Sequence, residues 1–104
     1  MIYGKRVFVT GGAGFIGTHL VERLCGDNEV VVFDSFRRDA IARTPLVNHP
    51  NVRLIRGDVR DVAALGEALG EAQIVVHLAS IAGVDTVRKN PVLTMEVSLI
   101  GTYN

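Results

Sequence analysis

The fold is decided by one stretch of eight residues, Thr10-Gly11-Gly12-Ala13-Gly14-Phe15-Ile16-Gly17. Before it, the compact apolar run Arg6–Thr10 stops abruptly at two glycines, which is typical of a buried parallel strand. After it, Ile16, Leu20 and Leu24 recur every four residues, which indicates the apolar face of a helix. The stretch therefore predicts a strand, a tight glycine turn and a helix in direct succession.

The glycines of this turn fit two spacings. G-x-G-x-x-G uses Gly12, Gly14 and Gly17, whereas G-x-x-G-x-x-G starts from Gly11. In both, glycine permits the tight turn, lets backbone amides approach a pyrophosphate, and lets the helix pack closely on the sheet. The phosphates would bind the unpaired N–H groups and the positive dipole end of the helix that starts near Phe15. No Lys-Ser or Lys-Thr pair follows the last glycine, so an ATP-type phosphate loop is not predicted.

An acidic residue stands where a dinucleotide site needs one. Asp34 ends the second apolar run, and its carboxylate can accept hydrogen bonds from the adenosine ribose hydroxyls. The same carboxylate would repel a 2′-phosphate, which favours NAD over NADP. Arg37 and Arg38 follow closely, and an arginine in this region is how NADP is accommodated. We interpret both arginines as solvated loop residues.

The following residues alternate strands with helices. Further strands are predicted at Glu29–Asp34, Val52–Arg56 and 74–78. Gly26 is predicted to cap the first helix, Asp61 and Gly70 to bound a short second helix, and residues 37–50 to form a loop with one helical turn. This pattern predicts an α/β, Rossmann-type, doubly wound parallel sheet, of which the chain holds an N-terminal half with four strands in the order 3-2-1-4.

A last helix bears on the extent of the domain. Asn90 and Pro91 open it as cap and first-turn residue, and an apolar stripe follows through Leu93, Val97 and Ile100. No capping signal closes this helix before residue 104. We therefore expect residues 1–104 to be one NAD-binding Rossmann portion that is truncated within the helix after the fourth strand.

Composition argues against several partners. The 11 basic and 11 acidic residues cancel, so neither nucleic acid nor an anionic membrane is expected. The single cysteine, Cys25, allows no internal disulfide and is interpreted as a buried hydrophobe. No apolar run reaches the length of a membrane span, and residues 1–5 do not resemble a signal peptide, which favours the cytoplasm. The fourth strand carries no lysine or proline to blunt a sheet edge, so the 104 residues alone are expected to form a homodimer.

The chain resembles the N-terminal part of an extended short-chain dehydrogenase/reductase, in the NAD-dependent epimerase/dehydratase family that acts on nucleotide sugars. The resemblance covers essentially all 104 residues. Its markers are the 10–17 turn, Asp34, Gly57-Asp58-Val59-Arg60-Asp61, His77-Leu78-Ala79-Ser80, Pro91 and Gly101-Thr102. The resemblance implies NAD as cofactor and a nucleotide sugar as substrate of the parent enzyme.

The resemblance also implies cofactor-binding roles, which fall to Gly11, Gly14, Phe15, Ile16, Gly17, Asp34, Ser35, Asp58, Val59, Leu78, Ala79, Ser80 and Ser98. Phe15 and Ile16 would contribute backbone amides at the pyrophosphate. Asp58 and Val59 would line the adenine, although from the residues alone Asp58 could equally be a turn residue after a glycine. The segment 78–80 would pass along the pyrophosphate and the nicotinamide ribose. His77, inside the fourth strand, is interpreted as a core histidine with satisfied hydrogen bonds.

Three positions depart from the family pattern. Ser35 and Ser98 stand where the family often has Asn, and Val87 stands where it often has Ser. The family's chemistry uses a Ser/Thr and a Tyr-x-x-x-Lys pair, in which a tyrosine of lowered pKa serves as acid and base. Neither Tyr3 nor Tyr103 has a lysine four residues later, so the 104 residues alone are expected to be inactive.

Three functional hypotheses follow. The first is the cofactor-binding portion of a nucleotide-sugar epimerase, dehydratase or decarboxylase. The second is a stand-alone or engineered NAD-binding module without catalysis. The third is an NADP-sensing regulator of related fold. Cofactor preference separates the third from the others, and a downstream Tyr-x-x-x-Lys separates the first.

Overall fold

A computed structural model describes residues 2–36 and 39–79 of the chain. The elements are β1 (Arg6–Thr10), α1 (Phe15–Leu24), β2 (Glu29–Asp34), β3 (Val52–Arg56), α2 (Val62–Leu69) and β4 (Ile74–His77). The loop between β2 and β3 contains two short 3-10 turns, Ile41–Arg43 and Pro45–Asn48, instead of the single helical turn expected. The helix predicted around residues 90–104 lies outside the described residues.

The four strands form one parallel sheet in the predicted order, β3-β2-β1-β4. Thr10, at the end of β1, is in register with Phe33 of β2 and His77 of β4. Asp34 is in register with Arg56 of β3. All four strands therefore end at the same edge of the sheet, which is where ligands bind in open α/β sheets.

The two helices cover opposite faces of the sheet. Val7 and Val9 of β1 are fully buried in one core cluster, which includes Val21 of α1. Phe8, between them in sequence, belongs to a second cluster against which Leu65 of α2 packs. Because alternate residues of a strand point to opposite faces, an uninterrupted apolar run is the pattern a doubly covered strand requires. The doubly wound architecture is confirmed.

The helix ends agree with the sequence prediction at α2 and differ at α1. Asp61 accepts a hydrogen bond from the backbone N–H of Ala64 (3.1 Å), and Gly70 closes α2 with a φ of +50°. Gly26, in contrast, does not adopt the left-handed conformation of a glycine cap. The reason is Asn28, whose buried amide donates to the carbonyl oxygen of Leu24 (3.0 Å) and satisfies the end of α1 from outside the helix.

Two further predictions concern burial. Cys25 is buried, as predicted, and burial raises the pKa of its thiol. His77 is exposed, so its interpretation as a core histidine was wrong. It ends β4, one residue earlier than predicted, on the strand that flanks the sheet among the described residues. No helix within residues 2–36 and 39–79 has the length and apolarity needed to cross a membrane.

Candidate functional site

Two glycines of the turn are required by packing within the protein. Gly11 has a φ of +72°, and a Cβ there would lie 2.7 Å from the carbonyl carbon of Leu78. A Cβ at Gly17 would lie 2.4 Å from the carbonyl oxygen of Gly11. Both distances are too short for any side chain, and the opposing atoms are backbone atoms. These glycines therefore bring α1 and the end of β4 tightly against the turn.

Gly14 differs from both. Its backbone is extended (φ −75°, ψ −178°), and a Cβ there would meet only the carbonyl oxygen of Gly11, at an ordinary 3.5 Å. No described atom of the protein demands glycine at this position. The residue lies at the N-cap of α1 and has no side chain to accept from the first turn of the helix. The N–H groups at the start of α1 can therefore donate to an external acceptor. The adjacent backbone of Gly14 carries no side chain that would block its approach.

The Asp34 carboxylate is fixed next to this turn. One oxygen (Oδ2) accepts a hydrogen bond from the backbone N–H of Ala13 (3.0 Å), within the glycine turn. The other (Oδ1) accepts from the backbone N–H of Phe36 (2.7 Å). The acidic side chain is therefore fixed to the glycine turn rather than free in solvent.

The loop after β2 is held in an unusual conformation. Phe36 has a φ of +60°, a value that costs a bulky residue about 1–3 kcal/mol. Arg56 of β3 donates from Nη1 to the carbonyl oxygen of Ser35 (3.0 Å), and its guanidinium carbon lies 5.1 Å from the centroid of the Phe36 ring. Ser35 itself is exposed. Neither the conformation of Phe36 nor the contacts of Arg56 could be read from local sequence.

Asp58 lies in the turn after β3, and its carboxylate is occupied. It accepts from the backbone N–H of Arg60 (2.9 Å) and from the guanidinium of the same residue, which holds the pKa of Asp58 below its usual value. The Asp58 carbonyl oxygen accepts from Asp61 N–H (2.9 Å). Asp58 thus has the turn role that the residues alone allowed, while contact with an adenine stays a prediction. The adjacent Val59 is buried in the core cluster of α2.

Thr10 is a site residue that the sequence reasoning missed. Its hydroxyl oxygen accepts from the backbone N–H groups of Leu78 (3.1 Å) and Ala79 (3.3 Å). Because these donors use both lone pairs, the hydroxyl proton is directed to Nδ1 of His77, 2.5 Å away. Thr10 therefore fixes the backbone after β4 against the glycine turn. A buried hydroxyl residue directly before the first glycine was the available signal.

The described site residues converge on the carboxyl edge of the sheet. Gly11, Gly14, Phe15, Ile16 and Gly17 follow β1, and Asp34 with Ser35 ends β2. Asp58 and Val59 follow β3, and Leu78 with Ala79 follows β4. Ser80 and Ser98, together with Arg37 and Arg38, lie outside the described residues. Within the described ranges, no group of three or more His, Cys, Asp or Glu side chains could hold a metal ion.

A parallel sheet in this order, with a glycine turn and a fixed acidic side chain at its carboxyl edge, defines a Rossmann-type unit. The family model described as GDP-mannose 4,6 dehydratase matches residues 8–104. The chain belongs to this family of NAD-dependent epimerases and dehydratases.

Individual relatives agree with this membership. The chain is 41% identical over 103 residues to UDP-glucuronic acid decarboxylase 4 of Arabidopsis thaliana, an alignment that covers 95% of this chain and 22% of the relative. It superposes with a TM-score of 0.86 and 31% identity on UDP-N-acetylglucosamine 4-epimerase from Methanobrevibacter ruminantium M1, covering 98% of this chain and 33% of that one. A double mutant of DesIV, a dTDP-glucose 4,6-dehydratase from Streptomyces venezuelae crystallised with NAD, superposes with a TM-score of 0.82 and 33% identity. That superposition covers 93% of this chain and 33% of the DesIV chain. The chain thus spans a third or less of the length of these proteins.

Proposed function

We propose that this chain binds NAD at the carboxyl edge of its sheet, with the pyrophosphate on Gly14 and the start of α1. The observation that carries the proposal is the open face of Gly14. Its neighbours Gly11 and Gly17 are glycines because protein atoms would collide with a side chain, whereas the protein leaves open space at Gly14 that an external group can occupy. A pyrophosphate fits because the first N–H groups of a helix and its dipole favour an anion.

The adenosine end of NAD is proposed to lie on the β2 side of the turn. The Asp34 carboxylate, held by Ala13 and Phe36, would accept from the ribose hydroxyls. Asp58 and Val59 would border the adenine, with Ser35 near the ribose. On the β4 side, Leu78 and Ala79 would present backbone groups toward the nicotinamide ribose. Ser80 and Ser98 keep their proposed roles there on the resemblance alone.

The parent activity proposed is that of a nucleotide-sugar epimerase, dehydratase or decarboxylase. Bound NAD would accept a hydride from a sugar carbon. The described residues supply cofactor binding and no acid–base pair for that chemistry. We therefore expect the 104 residues by themselves to bind NAD without turning over a nucleotide sugar. Absence of NADH formation with UDP- and dTDP-sugars is the expected result, and reproducible NADH formation by pure protein would contradict it.

Calorimetric titration with NAD and NADP tests the cofactor assignment. The wild-type protein should bind NAD more tightly than NADP, because a carboxylate repels a 2′-phosphate. Asp34→Ala should weaken NAD binding by about 1–3 kcal/mol, which is roughly 5- to 150-fold. Asp27→Ala is the matched control, since Asp27 is an exposed aspartate in the α1–β2 connection, before β2 begins. Unchanged NAD affinity in Asp34→Ala, or tighter binding of NADP by the wild type, would refute the assignment.

We also propose that the 104 residues alone form a homodimer through β4. This strand pairs with β1, and no strand within residues 2–36 and 39–79 pairs with its other side. Val75 is 54% exposed on it. Two copies of β4 could pair antiparallel about a two-fold axis. Sedimentation velocity should give a dimer, and Val75→Lys a monomer; a wild-type monomer at high micromolar concentration would contradict the proposal.

Cys25 supports a proposed cytoplasmic setting. It is a free, buried thiol, and free cysteines are maintained in reducing compartments. Cell fractionation with an antibody against the protein should find it in the cytosolic fraction, and recovery from a secreted or membrane fraction would contradict this.

A further inference from the structure

We propose that Arg56 is a positioning residue that sets cofactor affinity and the preference for NAD by holding the Asp34 carboxylate through the loop between them. The inference rests on the proposed function, because it concerns the ribose contact of the same site. Arg56 belongs to β3, is exposed, and is not among the residues that the resemblance assigns to the cofactor. Its action would be indirect.

The first step is the dependence of Asp34 on Phe36. One carboxylate oxygen of Asp34 is held by the glycine turn through Ala13, and the other accepts from the N–H of Phe36, at 2.7 Å. That N–H lies in the peptide plane that also carries the Ser35 carbonyl, and the chain continues from this plane with Phe36 in the left-handed region, at φ +60°. A phenylalanine avoids this region unless its surroundings stabilise it. The second anchor of Asp34 therefore requires support from outside the loop.

The second step is that Arg56 gives this support at two points. Its Nη1 donates to the carbonyl oxygen of Ser35 (3.0 Å), the residue between Asp34 and Phe36. Its guanidinium carbon lies 5.1 Å from the Phe36 ring centroid, within the range of a cation–π contact. In addition, Asp34 and Arg56 are directly paired in the register of β2 and β3, which keeps the two residues adjacent.

Arginine is the residue suited to this task. Its planar guanidinium can lie over an aromatic ring and donate an in-plane N–H at the same time, whereas the compact ammonium of lysine makes one of these contacts well. The rest of the Phe36 side chain packs against the core cluster of α1. The loop is therefore held on one side by the core cluster of α1 and on the other by Arg56. This would fix the Asp34 carboxylate in one orientation toward the ribose.

The test compares two arginines of the same strand in the full-length protein. Arg56→Met removes the contacts and one positive charge, and Arg53→Met removes an equal charge from an exposed residue three positions earlier. Titration with NAD and NADP is expected to show a five- to tenfold loss of NAD affinity in Arg56→Met and less than a twofold loss in Arg53→Met. The ratio of NAD to NADP affinity should fall in Arg56→Met alone, and Arg56→Lys should be intermediate.

Combination with Asp34→Ala separates positioning from general destabilisation. If Arg56 acts through the carboxylate, Arg56→Met should have no further effect on NAD binding once Asp34 is alanine. Equal losses in both backgrounds, or equal effects of Arg56→Met and Arg53→Met, would overturn the proposal. A selective loss of NADP affinity in Arg56→Met would also overturn it, because it would make Arg56 a phosphate ligand.

A second variant covers the case in which Arg56→Met unfolds. Phe36→Gly allows the left-handed conformation without support but also removes the packing of Phe36 on the core cluster of α1, so the single Phe36→Gly variant is the reference. Arg56→Met/Phe36→Gly should fold as well as Phe36→Gly and bind NAD with about the same affinity, and a large loss of folding or binding between these two variants would count against the proposal. Wild-type protein is titrated first: no binding of NAD there refutes the proposed function, whereas normal binding with a neutral Arg56→Met refutes this inference alone.

Discussion

Substituting alanine at two glycines of the same turn should separate ligand binding from stability. Gly14→Ala places a methyl group where the protein has only the carbonyl oxygen of Gly11, 3.5 Å away. The extended backbone of Gly14 suits alanine, so the folded protein should tolerate it. Loss of the glycine reduces unfolded-state entropy, and loss of a favourable N-cap offsets this, so the stability change should stay within about 1 kcal/mol.

The methyl group of Gly14→Ala would instead occupy the space proposed for the pyrophosphate. It would push the phosphates away from the N–H groups of Phe15 and Ile16. A hydrogen bond to a charged group contributes about 1.5–3 kcal/mol. Loss of two should weaken NAD binding by about 3–6 kcal/mol, or on the order of 100- to 10,000-fold.

Gly17→Ala should give the opposite pattern. Its methyl group would lie 2.4 Å from the carbonyl oxygen of Gly11 and 2.6 Å from the Cα of Gly12, both of which are backbone atoms. Alanine favours the helix by about 1 kcal/mol, and overpacking against a rigid backbone costs about 3 kcal/mol or more. The net loss should be about 2 kcal/mol of folding free energy. Calorimetry with NAD and denaturant unfolding measure the two quantities; near wild-type affinity of Gly14→Ala, or equal stability of the two variants, would refute the reasoning.

Three further predictions concern the ends of the strands and helices. Thr10→Val should cost about 1–3 kcal/mol by leaving the N–H of Ala79 without its acceptor, whereas the N–H of Leu78 keeps its bond to the backbone carbonyl oxygen of Thr10 (2.9 Å). Amide exchange should therefore rise at Ala79 more than at Leu78, and unchanged exchange at Ala79 would contradict this. Because the pKa of Asp58 is lowered in the folded state, its stabilisation is present above the unfolded value of 3.8 and is lost as pH falls further, so Arg60→Met should flatten unfolding free energy against pH below about pH 4. Asp61→Ala should lower the free energy of unfolding in urea by about 1 kcal/mol, because the N-cap hydrogen bond of α2 is lost. An unchanged free energy of unfolding would contradict this.

The strand order and the site location could be predicted because they depend on local patterns. An apolar run such as Arg6–Thr10, ended by glycines, fixes a strand and its direction without knowledge of its neighbours. Right-handed crossovers between parallel strands then leave few possible orders. Asp34 was placed correctly because the end of a strand in such a sheet is a fixed position at its carboxyl edge.

The errors have a different origin, since each concerns a side-chain partner or a covering element that the apolar pattern does not specify. Gly26 does not cap α1 because Asn28 satisfies the carbonyl oxygen of Leu24. His77 was interpreted as buried, yet its exposure depends on what covers the end of β4 rather than on the residues beside it. The hydroxyl of Thr10 reaches residues 67 to 69 positions later. Local periodicity carries no information about such partners.

The hydrogen bonds of Asp34 give a physical reason for the proposed preference for NAD over NADP. A carboxylate has about four acceptor positions, two on each oxygen. The N–H groups of Ala13 and Phe36 occupy one on each oxygen, so with respect to residues 2–36 and 39–79 each oxygen keeps one position for an incoming donor. An adenosine ribose with free 2′ and 3′ hydroxyls offers two such donors side by side. A 2′-phosphate replaces one of them with negative charge and no proton to donate at neutral pH, so the remaining acceptor would be unpaired and repelled. The proposed selectivity for NAD would therefore follow from the anchoring of the carboxylate as much as from its charge.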